Sequence, residues 1–267
     1  MRFRKGLALL LLLGAVYLSG CSRAPEPEEP EWTLTQETAA VLPDGESVGL
    51  WHTNSSTDDF YRLTDGTELL VVSDSNGPEE TEGGSLYTLS ADAKRMIRFY
   101  YEEQGQLYDV QSELEAAYAD YESCQSAGTA YEMRTVRQTV TPTAANERMI
   151  CFLTAVQLPR GQEPMEEIRL SAVFDRETGY EIDLWSMFTV PQETVMERLL
   201  EAGEITDPLE YAELAATIMP ERIFFYPDHM EIGFPQDALS EKENYDILID
   251  YADLTDILHD WAIPEAG

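Results

Sequence analysis

The chain has 267 residues, with 51 Asp and Glu against 17 Lys and Arg, a formal charge of −34 and a sequence pI near 4.1. Contact with nucleic-acid phosphates needs clustered cations, so this balance excludes a general nucleic-acid binder. Hydrophobic residues at 43% and aromatics at 10% are ordinary globular values, which excludes disorder throughout.

Arg2, Arg4 and Lys5 precede an apolar run of 13 residues, Gly6 to Leu18. A helix that crosses the hydrocarbon core needs about 20 apolar residues, so the run reads as an export signal over residues 1–20. It ends in Leu18-Ser19-Gly20-Cys21, which resembles the lipobox of bacterial lipoproteins and marks Cys21 as the lipid-attachment residue. Two acyl chains anchor stably where one is marginal, because each buried CH₂ contributes about 0.8 kcal/mol. The expectation is a lipid-anchored protein on the outer face of the bacterial cell membrane, with the membrane as its first partner. Loss of residues 1–20 removes three cations and no acid, so the charge falls from −34 to −37 and the surface favours cationic partners. Residues 21–42 open with Pro25, Pro27 and Pro30 among glutamates and are predicted to be an acidic, extended spacer.

Residues 43–160 form the predicted N-terminal half. Phe60–Leu63 and Leu69–Val72 flank Asp65-Gly66, a hairpin signal. Ser90 caps a predicted long helix whose stripe runs through Met96, Tyr100, Leu107, Val110, Leu114, Ala117 and Tyr121, with Gly105 in phase. Its tyrosines are read as the boundary between helix and sheet. Arg134–Val140 and Met149–Leu158 follow as strands, and Pro159 to Pro164 turns the chain. Residues 161–262 form the C-terminal half. Ile168–Phe174 alternates with period 2, Asp175–Gly179 makes a tight turn, and Tyr180–Leu184 is the predicted returning strand. Pro191–Glu201 and Pro208–Met219 open with proline as short helices do. A hairpin over Arg222–Tyr226 and Met230–Phe234, a strand over Tyr245–Asp250 and a closing helix over Ala252–His259 complete the chain. The fold class is α+β: an antiparallel sheet meander packed against one long helix and several short helices.

Cys124 and Cys151 remain once Cys21 is lipidated, and export permits a disulfide between them; two unbridged, buried thiols are the other reading. No spacing of the C-x-x-C or H-x-x-x-H kind marks a metal site, and no cofactor motif is present. Gly45-Glu46-Ser47-Val48-Gly49 matches the nucleophile elbow by letter, but Leu42-Pro43-Asp44 before it and Trp51-His52-Thr53-Asn54 after it supply neither the buried strand nor the helix that the mechanism needs.

The Asp65–Leu70 hairpin, the long helix after it, the stretch Val173-Phe174-Asp175-Arg176-Glu177-Thr178-Gly179-Tyr180-Glu181-Ile182-Asp183-Leu184 with Trp185-Ser186-Met187-Phe188, and the ending Phe225–Ile232 with Tyr245–Leu254 resemble the extracytoplasmic region of RsiV-type anti-sigma factors. That pair of domains of unknown function is shared with many bacterial lipoproteins. The resemblance implies a non-enzymatic α+β binding module, which in RsiV-type members recognises lysozyme. This chain lacks their cytoplasmic sigma-binding segment, so no sigma factor is expected as a partner. The tyrosine- and glycine-rich loop of many relatives is replaced here by the polar, acidic Gln236–Asn244. The expected function is capture or sensing of a cationic extracellular protein or peptide, with Tyr226, Asp228, His229 and Tyr245 as the contact surface, since loops on a rigid sheet host recognition and tyrosine is favoured at interfaces. A cell-envelope hydrolase using Ser47 and a structural envelope lipoprotein without a ligand are the alternatives.

Overall fold

In the computed structural model, which describes residues 31–74, 77–78, 88–160, 163–234 and 245–265, seven strands pair in chain order. They are β1 (Trp32–Val41), β2 (Ser47–Thr53), β3 (Ser56–Leu63), β4 (Glu68–Asp74), β5 (Arg134–Ala145), β6 (Met149–Arg160) and β7 (Glu163–Asp175). The export signal, Cys21 and the Gln236–Asn244 loop lie outside the described residues. The α+β class holds, and the sheet is mostly antiparallel. One pairing corrects the continuous meander: β4 and β5 run parallel, from Leu70↔Arg134 to Asp74↔Gln138. Parallel neighbours need a crossover, supplied here by α1 (Ala91–Gln104) and α2 (Val110–Ala127).

The predicted long helix is therefore two. Gly105 takes a positive φ of 66° and its N–H closes α1 on the Tyr101 carbonyl, while the Asp109 side chain accepts from Gln111 and Ser112 N–H to start α2. The link between them is satisfied from the sheet: buried Gln138 of β5 accepts from Leu107 N–H and donates to the Gly105 carbonyl. A stripe with unbroken phase conceals this break because both helices face the same sheet. At the start of α1, Ser90 accepts from Ala93 N–H and caps the helix as predicted.

Side chains of β6 alternate between two cores. Ile150 and Phe152 meet Ala93, Ile97 and Tyr101 of α1 together with Phe174, while Val156 and Leu158 meet Leu114 and Ala117 of α2. Met149 and Cys151 point to the opposite face, into a second core with Ala144 and Val173. That core is closed by a C-terminal layer of α3 (Gln192–Ala202), α4 (Pro208–Thr217) and a small antiparallel sheet of β8 (Ile223–Phe225), β9 (His229–Phe234) and β10 (Tyr245–Asp250). β6 and β7 pair from Met149↔Asp175 to Arg160↔Glu163, so one sheet holds strands from both predicted halves.

Three local expectations are corrected. Trp32 to Val41, read as spacer, forms the edge strand β1; Glu31 and Asn54 hydrogen-bond each other at its start. Tyr180–Leu184 makes only the bridge Phe174↔Glu181, because Asp183 accepts from Trp185 N–H and turns the chain into a 3-10 turn at Leu184–Met187. Ala252–His259 is not an α-helix, since Thr189 N–H donates to the Ile257 carbonyl and His259 N–H to the Met187 carbonyl, drawing the backbone away from i→i+4 bonds; 3-10 turns at Tyr251–Leu254 and Asp260–Ala262 take its place. Cys124 and Cys151 are free thiols. Cys124 sits in α2 above one face of the sheet and Cys151 points into the core on the other, so the sheet itself separates them.

Asn146, between β5 and β6, is 8% exposed and clasps the chain end: its Nδ2 donates to the Trp261 and Ile263 carbonyls at 2.9 and 2.8 Å, and its Oδ1 accepts from Arg148 and Met149 N–H. Arg148 lies over the Trp261 ring at 3.9 Å. Asn146→Ala is expected to destabilise the fold by about 2–3 kcal/mol in urea unfolding, since buried backbone groups lose their partners. Asn146→Asp, which keeps the acceptor and loses both donors, should rescue only part of that loss.

Candidate functional site

Three of the four sequence-predicted contact residues come together and the fourth does not. The Tyr226 and His229 rings stack at 4.9 Å, and His229 Nδ1 meets the Asp228 carboxylate at 2.7 Å, which holds the Asp228 pKa below the usual carboxylate range. Tyr245 is at the far end of the same small sheet, paired with Phe234 while His229 pairs with Asp250, and its ring lies on Phe234. The Tyr226 hydroxyl is also already engaged: it accepts from Arg169 at 3.0 Å. Arg169 of β7 also pairs with Glu231 of β9 at 2.5 Å and with Asp246 of β10 at 3.3 Å, and its guanidinium lies over the Phe224 ring. This cluster latches the small sheet to the large one.

The more open chemistry lies at the end of β7. Asp175–Gly179 turns tightly there, with Gly179 at φ 74° and packed against α1 so closely that a Cβ would stand 2.3 Å from the Ala93 carbonyl oxygen. This contact sets the turn beside the solvent-facing flank of α1. Between them is a cleft of about 500 Å³, lined by Met96, Phe99, Tyr100, Phe174 and Tyr180 with Glu103 and Glu181. Phe99 and Tyr180 are 52% and 62% exposed, an unusual position for two large rings. A second cleft of about 360 Å³ lies between β7, Glu181–Leu184 and Pro220–Glu221, and Glu181 lines both. Together the linings carry four carboxylates, Glu103, Glu181, Asp183 and Glu221, and no Lys, Arg or His. The Tyr100 hydroxyl faces Glu181. Partial burial nevertheless pushes the Glu181 pKa above its usual value, helped by the nearby charges of Glu221 and Asp183.

No family model matches the sequence, and no curated protein matches it. Solved structures do. A DUF3298 family protein from Pseudomonas aeruginosa PAO1 is 12% identical, with 90% of this chain and 98% of that chain covered and a TM-score of 0.41. A DUF3298 family member from Bacteroides fragilis is also 12% identical, with 86% and 94% covered and a TM-score of 0.45. These structural neighbours belong to a domain family of unknown function.

The hydrolase alternative finds little geometry at Ser47. Gly45 has the positive φ of a sharp turn, but Ser47 starts β2, so the turn joins two strands and no helix follows to supply oxyanion donors. A different chain of groups exists at Thr35 Oγ1, His52 and Asp59, each contact 2.6 Å long. Thr35 is on the exposed edge strand and these residues line neither of the clefts above.

Sequence reading missed the clefts and misjudged the face of α1. Ala93, Ile97 and Tyr101 are its buried residues, whereas Met96 and Tyr100 of the predicted core stripe line the cleft. The available signal was Phe99 beside Arg98 on an otherwise polar flank, with Tyr180 directly after a turn glycine. A carboxyl whose pKa is raised in the folded state favours folding while it is protonated. Its contribution is full below the ordinary value of 4.5 and is lost as pH rises through the folded-state pKa. Glu181→Gln should therefore gain thermal stability relative to the unaltered protein between pH 4 and pH 7, measured by paired melting curves. Gly179→Ala is expected to lose about 2–3 kcal/mol through the left-handed φ and the clash with α1.

Proposed function

We propose that this chain is a non-enzymatic binding module, tethered outside the cell membrane through lipid on Cys21, that captures a cationic protein or peptide. The observation that carries the reading is the pair of clefts meeting at Glu181, where exposed aromatic rings stand beside four carboxylates with no cation in the lining. A carboxylate cluster in a chain of charge −34 attracts a basic partner over distance, and aromatic surface beside it holds the partner at close range. Lysozyme, a basic extracellular protein, is the candidate that the likeness to RsiV-type anti-sigma factors suggests. Among the described residues, no helix is long and apolar enough to cross a membrane.

Titration of the mature chain against lysozyme at several salt concentrations tests the reading. Binding is expected to weaken as salt rises but to persist at about 0.15 M, where the screening length is about 8 Å and only close contacts survive. Binding that vanishes there leaves only diffuse charge attraction. Cys21→Ser is expected to move the protein from the detergent phase to the aqueous phase or to leave it as an uncleaved precursor; a fully cleaved variant that still partitions into detergent refutes the anchor.

A further inference from the structure

Resting on that reading, we propose that the cleft between α1 and the Asp175–Gly179 turn is a receptor for one arginine side chain of the partner, with the alkyl stem on Met96 and Phe99 and the guanidinium on Glu181. Three observations select this occupant. The walls are mostly carbon: Met96 and Phe99 on one flank, Phe174 below, Tyr180 on the other. A small free cation would leave that apolar surface wet, whereas a long side chain covers it with methylenes.

The polar feature is a carboxylate with spare capacity. Glu181 has the Tyr100 hydroxyl beside it, and an ionised carboxylate offers about four acceptor sites. A guanidinium can take two of them side by side and still stack on a neighbouring ring; an ammonium is a point charge that does neither. Tyr180 and Tyr100 supply ring faces next to that position, and Tyr180 is exposed enough to turn onto the ligand.

The third observation is that, among the described residues, no cation of the chain's own lines the cleft. Elsewhere in this fold guanidiniums lie against rings and acids together: Arg169 on Phe224 with Glu231 and Asp246, and Arg62 over Trp32 at 4.3 Å with Glu68 nearby. At Glu181 the ring and acid components of the same arrangement are present and the arginine is not. The titratable groups facing Glu181 are Tyr100 and Glu103 from α1, Asp183 from its own segment and Glu221 from the Pro220–Arg222 turn. All are acidic or neutral, with Arg222 beyond Glu221, so the groups beside Glu181 favour an incoming cation, which draws a proton off Glu181 in acid solution.

The test uses butylguanidinium, with butylammonium, guanidinium and butanol as controls, added to the mature chain while the methyl signal of Met96 and the amide signals of Tyr180 and Glu181 are followed by NMR. Butylguanidinium is expected to shift these signals saturably, several-fold more tightly than butylammonium or guanidinium, and butanol hardly at all. Glu181→Gln should weaken the binding at least tenfold at pH 7 and Phe99→Ala about threefold. At pH 4 the unaltered protein should bind more weakly than at pH 7, and Glu181→Gln should be insensitive to that change. Equal affinity for butylguanidinium in Glu181→Gln, or equal affinity for the ammonium, overturns the proposal. The same variants titrated with lysozyme separate the two claims. Lysozyme binding unchanged by Glu181→Gln and Phe99→Ala removes the arginine receptor and leaves a cationic partner; a cleft that seats butylguanidinium in a protein that ignores lysozyme and other basic proteins keeps the receptor and removes the proposed function.

Discussion

Everything in this fold leans on the two-sided burial of β6. Ile150, Phe152, Val156 and Leu158 face the helices, while Met149 and Cys151 face the C-terminal layer, and each of these six is at most 4% exposed. A strand with period 2 cannot slip by one residue without exchanging the two sets, so burial on both faces pins the register of β5 and β7 as well. With β7 fixed, the turn at Asp175–Gly179 falls against Ala93 of α1, and the chain leaves that turn with Glu181 bridged to Phe174. The cleft is thus a by-product of register: it exists where the edge strand ends and a helix from the other layer passes.

That origin explains how much of the molecule could be read from its sequence. The β3–β4 hairpin was legible because Asp65-Gly66 is a local turn instruction, and α4 because Asp207 and Pro208 state a helix start over two residues. The parallel pairing of β4 with β5 was not, since it joins segments some 60 residues apart with no local mark. Residues 32–41 were hidden differently. Their alternation is mostly solvent-facing, as suits an edge strand, and a polar edge strand looks like a spacer. The candidate site was least legible of all: its walls come from residues 96–104, 171–184 and 220–221, and only the fold adds them together.

Three arginines illustrate how a highly acidic chain uses scarce cations. Arg169 joins three elements of two sheets, and Arg134 of β5 reaches Asp120 and Glu113 of α2. Arg198 of α3 holds Asp256 in the C-terminal turns. Each cation is placed where layers meet, so cohesion between layers is met internally and much of the acid surplus stays on the surface. The carboxylates of the proposed partner site and those that latch the layers are therefore different.

The clasp at Asn146 has a temporal meaning as well as a geometric one. Its partners Trp261 and Ile263 lie 115 and 117 residues further along, and Glu265 N–H reaches back to the Ala145 carbonyl. During synthesis the strands that hold Asn146 exist long before the carbonyls that complete its bonding. Met149, Cys151 and Val173 wait on the same event, since the layer that covers them is made last. A chain that emerges from its amino terminus thus carries one finished core and one naked sheet face until residues 182–263 have followed, and closing so long a loop is slow. For this fold, a stop before residue 261 is more than a shortening: it strands an apolar face in water.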